Sequence, residues 1–199
     1  MASRARGKQR AAATHARRIV TVFTLLGRDL SPDPERFIAQ CRWLLKTYHT
    51  AIAGMKHRAG DWRNTKTLLD AFAKDGFDVF LGSESFLLAG LRNGAVGCIS
   101  AIANVSPAAI DKLYREWQQP DADPQQVELN AVRKTVGQQV MIPALKQVVT
   151  YYADDWKCET VRPPLVDLTA EQAKNVIDGL KRLDFTTTGL GRSATRAAA

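Results

Sequence analysis

"TAIAGMKHRAGDWRNTKTLLDAFAKDGFDVFLG", residues 50–82, passes from one chain periodicity to another and back. Residues 50–55 are small or apolar and end on Lys56, as in a short strand buried on both faces. A polar turn with Gly60 and Asp61 follows, and 63–76 then reads as a helix closed by Gly76 as its C-cap. "FDVFLG" at 77–82 is apolar again and reads as a second strand. A strand, a helix and a strand joined by short loops predict parallel strands with a crossover helix.

The same alternation extends in both directions. Toward the C-terminus, 84–94 reads as a helix closed by Gly94, and 95–105, "AVGCISAIANV", as a strand with a small, polar end. Residues 106–119 read as a helix with Ser106 as cap and Pro107 at its first position. Toward the N-terminus, Phe37, Ile38, Cys41, Leu44, Leu45 and Tyr48 fall on one helical face, with Asp33 as N-cap and Pro34 behind it. "IVTVFTLL" at 19–26 is rich in β-branched residues and reads as a strand. Beyond the linker-like "QQPDADPQQ" the pattern turns helical. Residues 124–153 form a long amphipathic segment interrupted near Pro143, "CETVRPPLVDL" is extended, and 169–183 is a closing helix capped by Thr169. The expected organisation is a basic disordered arm at 1–18, a β/α region at 19–119, a C-terminal helical region at 120–185 and a disordered tail at 186–199.

Composition bounds the function. With 199 residues and 45% hydrophobic residues, the chain holds enough apolar matter for one sizeable core. No apolar run approaches the ~20 residues of a membrane-spanning helix, so no membrane partner is expected. Cys41, Cys98 and Cys158 form no CxxC pair, which predicts reduced thiols in a cytoplasmic protein. His15, His49 and His57 lack metal-ligand spacing, so no metal is expected. The net charge of +8 belongs to the ends: residues 1–28 carry seven basic residues and no acid, and 186–199 add Arg192 and Arg196, leaving 19 basic and 20 acidic residues in 29–185. Such an arm suits a solvated tail, phosphate contacts or a targeting segment. No zinc finger, RRM or helix-turn-helix signature accompanies it, so nucleic acid is not the expected partner.

Lys56 ends its strand, and in an α/β barrel ligands bind at the carboxyl ends of strands. Gly82 with Ser83, and Asn104, stand at corresponding places. A lysine in a dry pocket at such an end is an amine nucleophile able to form a Schiff base with a ketone. His57 or Arg58 would favour the uncharged amine further if it faced the same way. The alternative is an ordinary strand-end lysine reaching solvent.

The stretch "IAGMKHRAGDW", followed by "FLGSE" and "GCISAIANV", resembles the dihydrodipicolinate synthase / N-acetylneuraminate lyase family of class I aldolases. "TVRPPLVDLTAEQ" resembles that family's connection into its closing helix, so the resemblance covers about residues 48–185. It implies a (β/α)8 TIM barrel, here partial, with a C-terminal helical extension. It implies a lyase or aldolase that joins pyruvate or another 2-oxo acid to Lys56 as a Schiff base. The iminium serves as electron sink, so no cofactor is implied. Gly82 and Ile99 fall on positions that bind substrate, and a homo-oligomer is expected.

The departures are specific. His57 and Arg58 replace small polar residues that usually follow the family's lysine. The chain has no "GTTGE"-type loop for the substrate carboxylate. None of Tyr48, Tyr114, Tyr151 and Tyr152 lies in the "YNxP"-like strand of the proton-relaying tyrosine. A full barrel takes typically ~250 residues. Either "DLSPDPERFIAQCRWLL" corresponds to the first barrel helix and the chain jumps to the lysine strand, or residues 35–48 are the helix just before that strand. A non-catalytic relative, or a fragment completed by a partner, is therefore the alternative to an active aldolase.

Overall fold

The computed structural model describes residues 18–19, 33–48, 51–58, 60–72 and 76–187. The arm at 1–16, most of the expected strand 19–26 and the tail from 188 lie outside the described residues. The elements are β1 (Arg18–Ile19), α1 (Pro34–Thr47), β2 (Ile52–His57), α2 (Trp62–Phe72), β3 (Asp78–Leu81), α3 (Leu87–Arg92) and β4 (Gly97–Cys98). They continue as α4 (Pro107–Glu116), α5 (Ala122–Val136), α6 (Met141–Ala153) and α7 (Ala170–Lys181). Short 3-10 turns occupy Glu84–Phe86, Ile102–Asn104 and Trp156–Cys158.

The strands form one sheet in the order β1-β2-β3-β4, with β1, β2 and β3 parallel. The crossover logic of the sequence therefore holds, with α1 in the connection between the parallel strands β1 and β2. Asp33 caps α1 by accepting a hydrogen bond from the Arg36 amide at 3.0 Å. Gly94, just after α3, stands at φ 93°, the left-handed geometry that closes a helix, and Gly76, which leads into β3, also has a positive φ of 76°.

Two compact units result among the described residues: those up to Gly82 together with Gly90–Gly97, and Ser83–Ala89 together with those from Cys98 onward. In the first, Met55, Leu68, Leu69, Phe72, Val79 and Leu81 are buried between the sheet and its helices. In the second, Ile102, Val105, Val136, Ala144, Val148, Val176 and Leu180 form the centre of an all-helical core.

One expectation is corrected. The strand read over 95–105 shrinks to Gly97–Cys98 and gives way to a 3-10 turn. The cause is local side-chain competition for the backbone. Ser100 Oγ accepts from the Ala103 amide at 3.3 Å, and the Asn104 amide group donates to the Ala101 carbonyl at 2.9 Å. The interruption expected near Pro143 falls at 137–140, between α5 and α6. Pro143 is the third residue of α6, where a missing N–H costs nothing because the first turn has no internal acceptor for it.

A strand-end lysine and the candidate active site

Residues alternate across β2, so Gly54 and Lys56 share one face while Met55 and His57 share the other. The register sets Gly54 against Asp78, Met55 against Val79, Lys56 against Phe80 and His57 against Leu81. Met55, Val79 and Leu81 are buried, at 1–2% exposure, which marks their face as the one packed under helices. Leu81 meets Gly90 of α3 so closely that a Cβ at Gly90 would run into its Cδ1. Lys56 lies on the opposite face, with Gly54, Asp78 and Phe80, and its side chain is exposed.

His57 therefore does not face the same way as Lys56, and the helping cation considered from sequence is not supplied by it. It is half-buried, and burial pushes its imidazole below the usual 6.5. Its Nε2 is buried and has no hydrogen-bond partner among the described residues. Arg58 follows at the strand's exit and is exposed.

Gly82 stands one residue beyond β3, buried, and its amide donates to the His57 carbonyl at 2.7 Å. A Cβ there would lie 2.6 Å from Arg58 Cβ and 2.8 Å from the His57 carbonyl oxygen. Only glycine lets the two strand ends approach this closely. Lys56 and Gly82 are thus brought to neighbouring carboxyl ends within one unit. Ile99 belongs to the other unit, one residue beyond β4, and is 41% exposed. Asn104 lies in the 3-10 turn rather than at a strand end.

The turn after Gly82 holds residues that sequence reasoning did not single out. Glu84 is wholly buried and pairs with Arg133 at 2.9 Å, while Gln126 bonds the backbone at Glu84 and Leu88. The available signal was spacing: Gln126 and Arg133 lie two helical turns apart on one face of α5. A cavity of about 460 Å³ in the second unit, beside Pro143, Gln147, Glu159 and Asp167, involves none of the residues that the sequence indicates.

The profile of the Dihydrodipicolinate synthetase family matches residues 37–183. The chain belongs to this family. It is 30% identical over 146 residues to an uncharacterized DapA-like lyase of Chloroflexus aurantiacus, covering 73% of this chain and 48% of that protein. It is 30% identical over 139 residues to 4-hydroxy-tetrahydrodipicolinate synthase of Macrococcus caseolyticus, covering 68% of this chain and 45% of that one. Among solved structures, a prophage protein of the dihydrodipicolinic acid synthase family from E. coli K12, in complex with pyruvate, superposes with a TM-score of 0.66. The identity is 19%, covering 75% of this chain and 51% of that one. The chain spans about half the length of the curated relatives it matches. Its four-stranded sheet with crossover helices is accordingly part of a TIM barrel followed by a helical extension, as the resemblance implied. No helix among the described residues is long and apolar enough to cross a membrane.

Proposed function

We propose that this member of the dihydrodipicolinate synthetase family is a class I lyase or aldolase that holds pyruvate or a related 2-oxo acid on Lys56. One observation carries the reading: Lys56 and Gly82 stand at adjacent strand carboxyl ends, where barrel enzymes bind ligands. The electron pair of Lys56 Nζ attacks the keto carbon, and the tetrahedral adduct loses water to give an imine and, on protonation, an iminium. Loss of a proton from the adjacent carbon gives the enamine, whose carbon attacks an aldehyde; the reverse sequence cleaves the new bond. Gly82 keeps the strand ends close, and Ile99 is the further substrate-binding residue of this reading. A pyruvate complex in the prophage relative supports a ligand of this class.

A second reading is favoured by a separate observation. Lys56 is exposed, so the described residues of its own unit do not supply the dry surroundings that the mechanism needs. The "GTTGE"-type loop and the relay tyrosine are likewise absent from the sequence. On this reading the chain is a non-catalytic relative acting through oligomerisation or binding.

Borohydride reduction in the presence of pyruvate, followed by peptide mapping, separates the two. Hydride delivered to the imine carbon turns it into a stable secondary amine. The first reading requires label at Lys56 ahead of the other lysines. Label spread evenly over many lysines, or absent from Lys56 in folded protein, would remove it. Label at Lys56 without aldol turnover would leave the nucleophile and refute the complete reaction.

A further inference from the structure

The sheet face that carries Lys56 also carries a carboxylate. Asp78 opens β3, and the register sets it against Gly54, two residues before the Lys56–Phe80 pair. Among the described strand residues Asp78 is the only one with a carboxyl group. Aspartate is depleted in strands, and this one is half-buried in a strand with a neighbour on either side. Lys56, Gly54, Asp78 and Phe80 all belong to the first compact unit.

Gly54 shapes the space between them. A Cβ there would lie 2.1 Å from the Asp78 carbonyl oxygen and 2.7 Å from the Asp78 Cβ. Glycine lets the two strands close up at this level and leaves β2 without a side chain beside Asp78. Two residues along β3 and one strand across place the Asp78 Cα roughly 8 Å from that of Lys56. The lysine's flexible four-carbon stem and a 2-oxo acid joined to its end can span that distance. Tyr48, the one tyrosine in the sequence of the first unit, closes α1 instead of standing on a strand.

We propose that Asp78 is the catalytic base of the Lys56 site, taking the proton whose loss turns the iminium into the enamine. The inference rests on the Schiff-base reading of Lys56. An Asp78 carboxylate oxygen accepts the proton from the carbon next to the iminium carbon. The C–H pair becomes the carbon–carbon double bond of the enamine, and the iminium π pair returns to Lys56 Nζ as its lone pair. The carboxyl proton exchanges with solvent, and its return to the same carbon regenerates the iminium. The substrate class is thereby narrowed to 2-oxo acids with a hydrogen on the carbon beside the keto group.

Two measurements on the full chain separate the steps. Borohydride trapping with pyruvate reads the imine at Lys56, and proton NMR in D2O reads enamine formation as replacement of the pyruvate methyl hydrogens by deuterium. Asp78→Asn should slow the exchange roughly a hundredfold, as expected for losing a general base, with label at Lys56 unchanged at saturating pyruvate. Asp78→Glu keeps a carboxylate one methylene away, and its exchange should fall between the two. Asp70→Asn removes an exposed carboxylate of α2, paired with Lys66, and should move nothing. Wild-type exchange in folded Asp78→Asn would overturn the proposal, as would loss of label together with exchange. Exchange that persists in Lys56→Ala would place it away from this site and overturn it too. If Asp78→Asn does not fold, Asp78→Glu carries the test: slowed exchange with label retained supports the base, and unchanged exchange overturns it. Failure of both to fold would make Asp78 purely structural and overturn the proposal. Absence of label at Lys56 in the wild type would remove the Schiff-base reading first, and the inference with it. Label in the wild type without exchange would remove the inference alone.

Discussion

Because successive residues of β2 point to opposite faces, Lys56 and His57 meet different surroundings although they adjoin in sequence. His57 shares its face with buried Met55 and Leu81. Burial disfavours its protonated form, so it binds protons less readily folded than unfolded. The linkage has a definite sign. Stability is whole above the ordinary imidazole value of 6.5 and falls as pH drops below it toward the lowered folded value, where the unfolded chain binds more protons. Asp61 does not confuse this window, because a side-chain hydrogen bond from Arg63 holds its carboxyl below the usual carboxylate range. The thermal midpoint of the wild type should therefore fall more between pH 7.5 and pH 5.5 than that of His57→Gln. Equal falls in the two proteins would mean that the imidazole does not carry the dependence. The place of Lys56 near the carboxyl end of a parallel strand was legible in sequence from the apolar run before it and the turn after it. The facing of His57 follows from strict alternation, but only once the strand's bounds are known.

At the scale of elements, local signals were most legible where one side chain closes a helix. Thr169 forms a reciprocal capping box with Gln172: its Oγ1 accepts from the Gln172 amide at 3.2 Å, and its own amide donates to Gln172 Oε1 at 2.9 Å. Thr169→Ala should destabilise the chain by about 1 kcal/mol. Chemical denaturation would register this as a lower midpoint at unchanged slope, and an unchanged midpoint would show that α7 is held by its packing alone. The helix starts at Asp33 and Thr169 and the glycine stop at 94 could be read because each depends on one or two neighbouring residues. The strand read over 95–105 could not, because its apolar run conceals Ser100 and Asn104, whose side chains bond nearby backbone and turn the chain. The grip of Gln126 and Arg133 on residues around Glu84 was also hidden, since it joins positions 38 to 49 residues apart and no local pattern announces it.

At the scale of the whole molecule, the charge is distributed in a way that separates folding from any action of the arm. Residues 29–185 carry 19 basic and 20 acidic residues, close to balance, while the first 28 residues carry seven cations and no acid. Within 1–16 the apolar side chains are Met1 and alanines, beside Arg4, Arg6, Lys8 and Arg10. Such a stretch has little apolar surface to bury, so it contributes little to the free energy that holds the sheet and the helical core together. Removing residues 1–16 should leave the thermal transition where it is, and leave any trapping of pyruvate at Lys56 unchanged. It should also abolish whatever weak retention the full chain shows on a polyanionic matrix, with a steep loss of retention in added salt as the mark of phosphate-like contacts. Loss of soluble protein on deletion would show instead that the arm belongs to the fold. Retention that survives the deletion would move the anion-binding surface to the rest of the chain, where Arg17, Arg18 and Arg28 remain and the exposed Arg36, Arg42 and Lys46 of α1 are the next group to substitute.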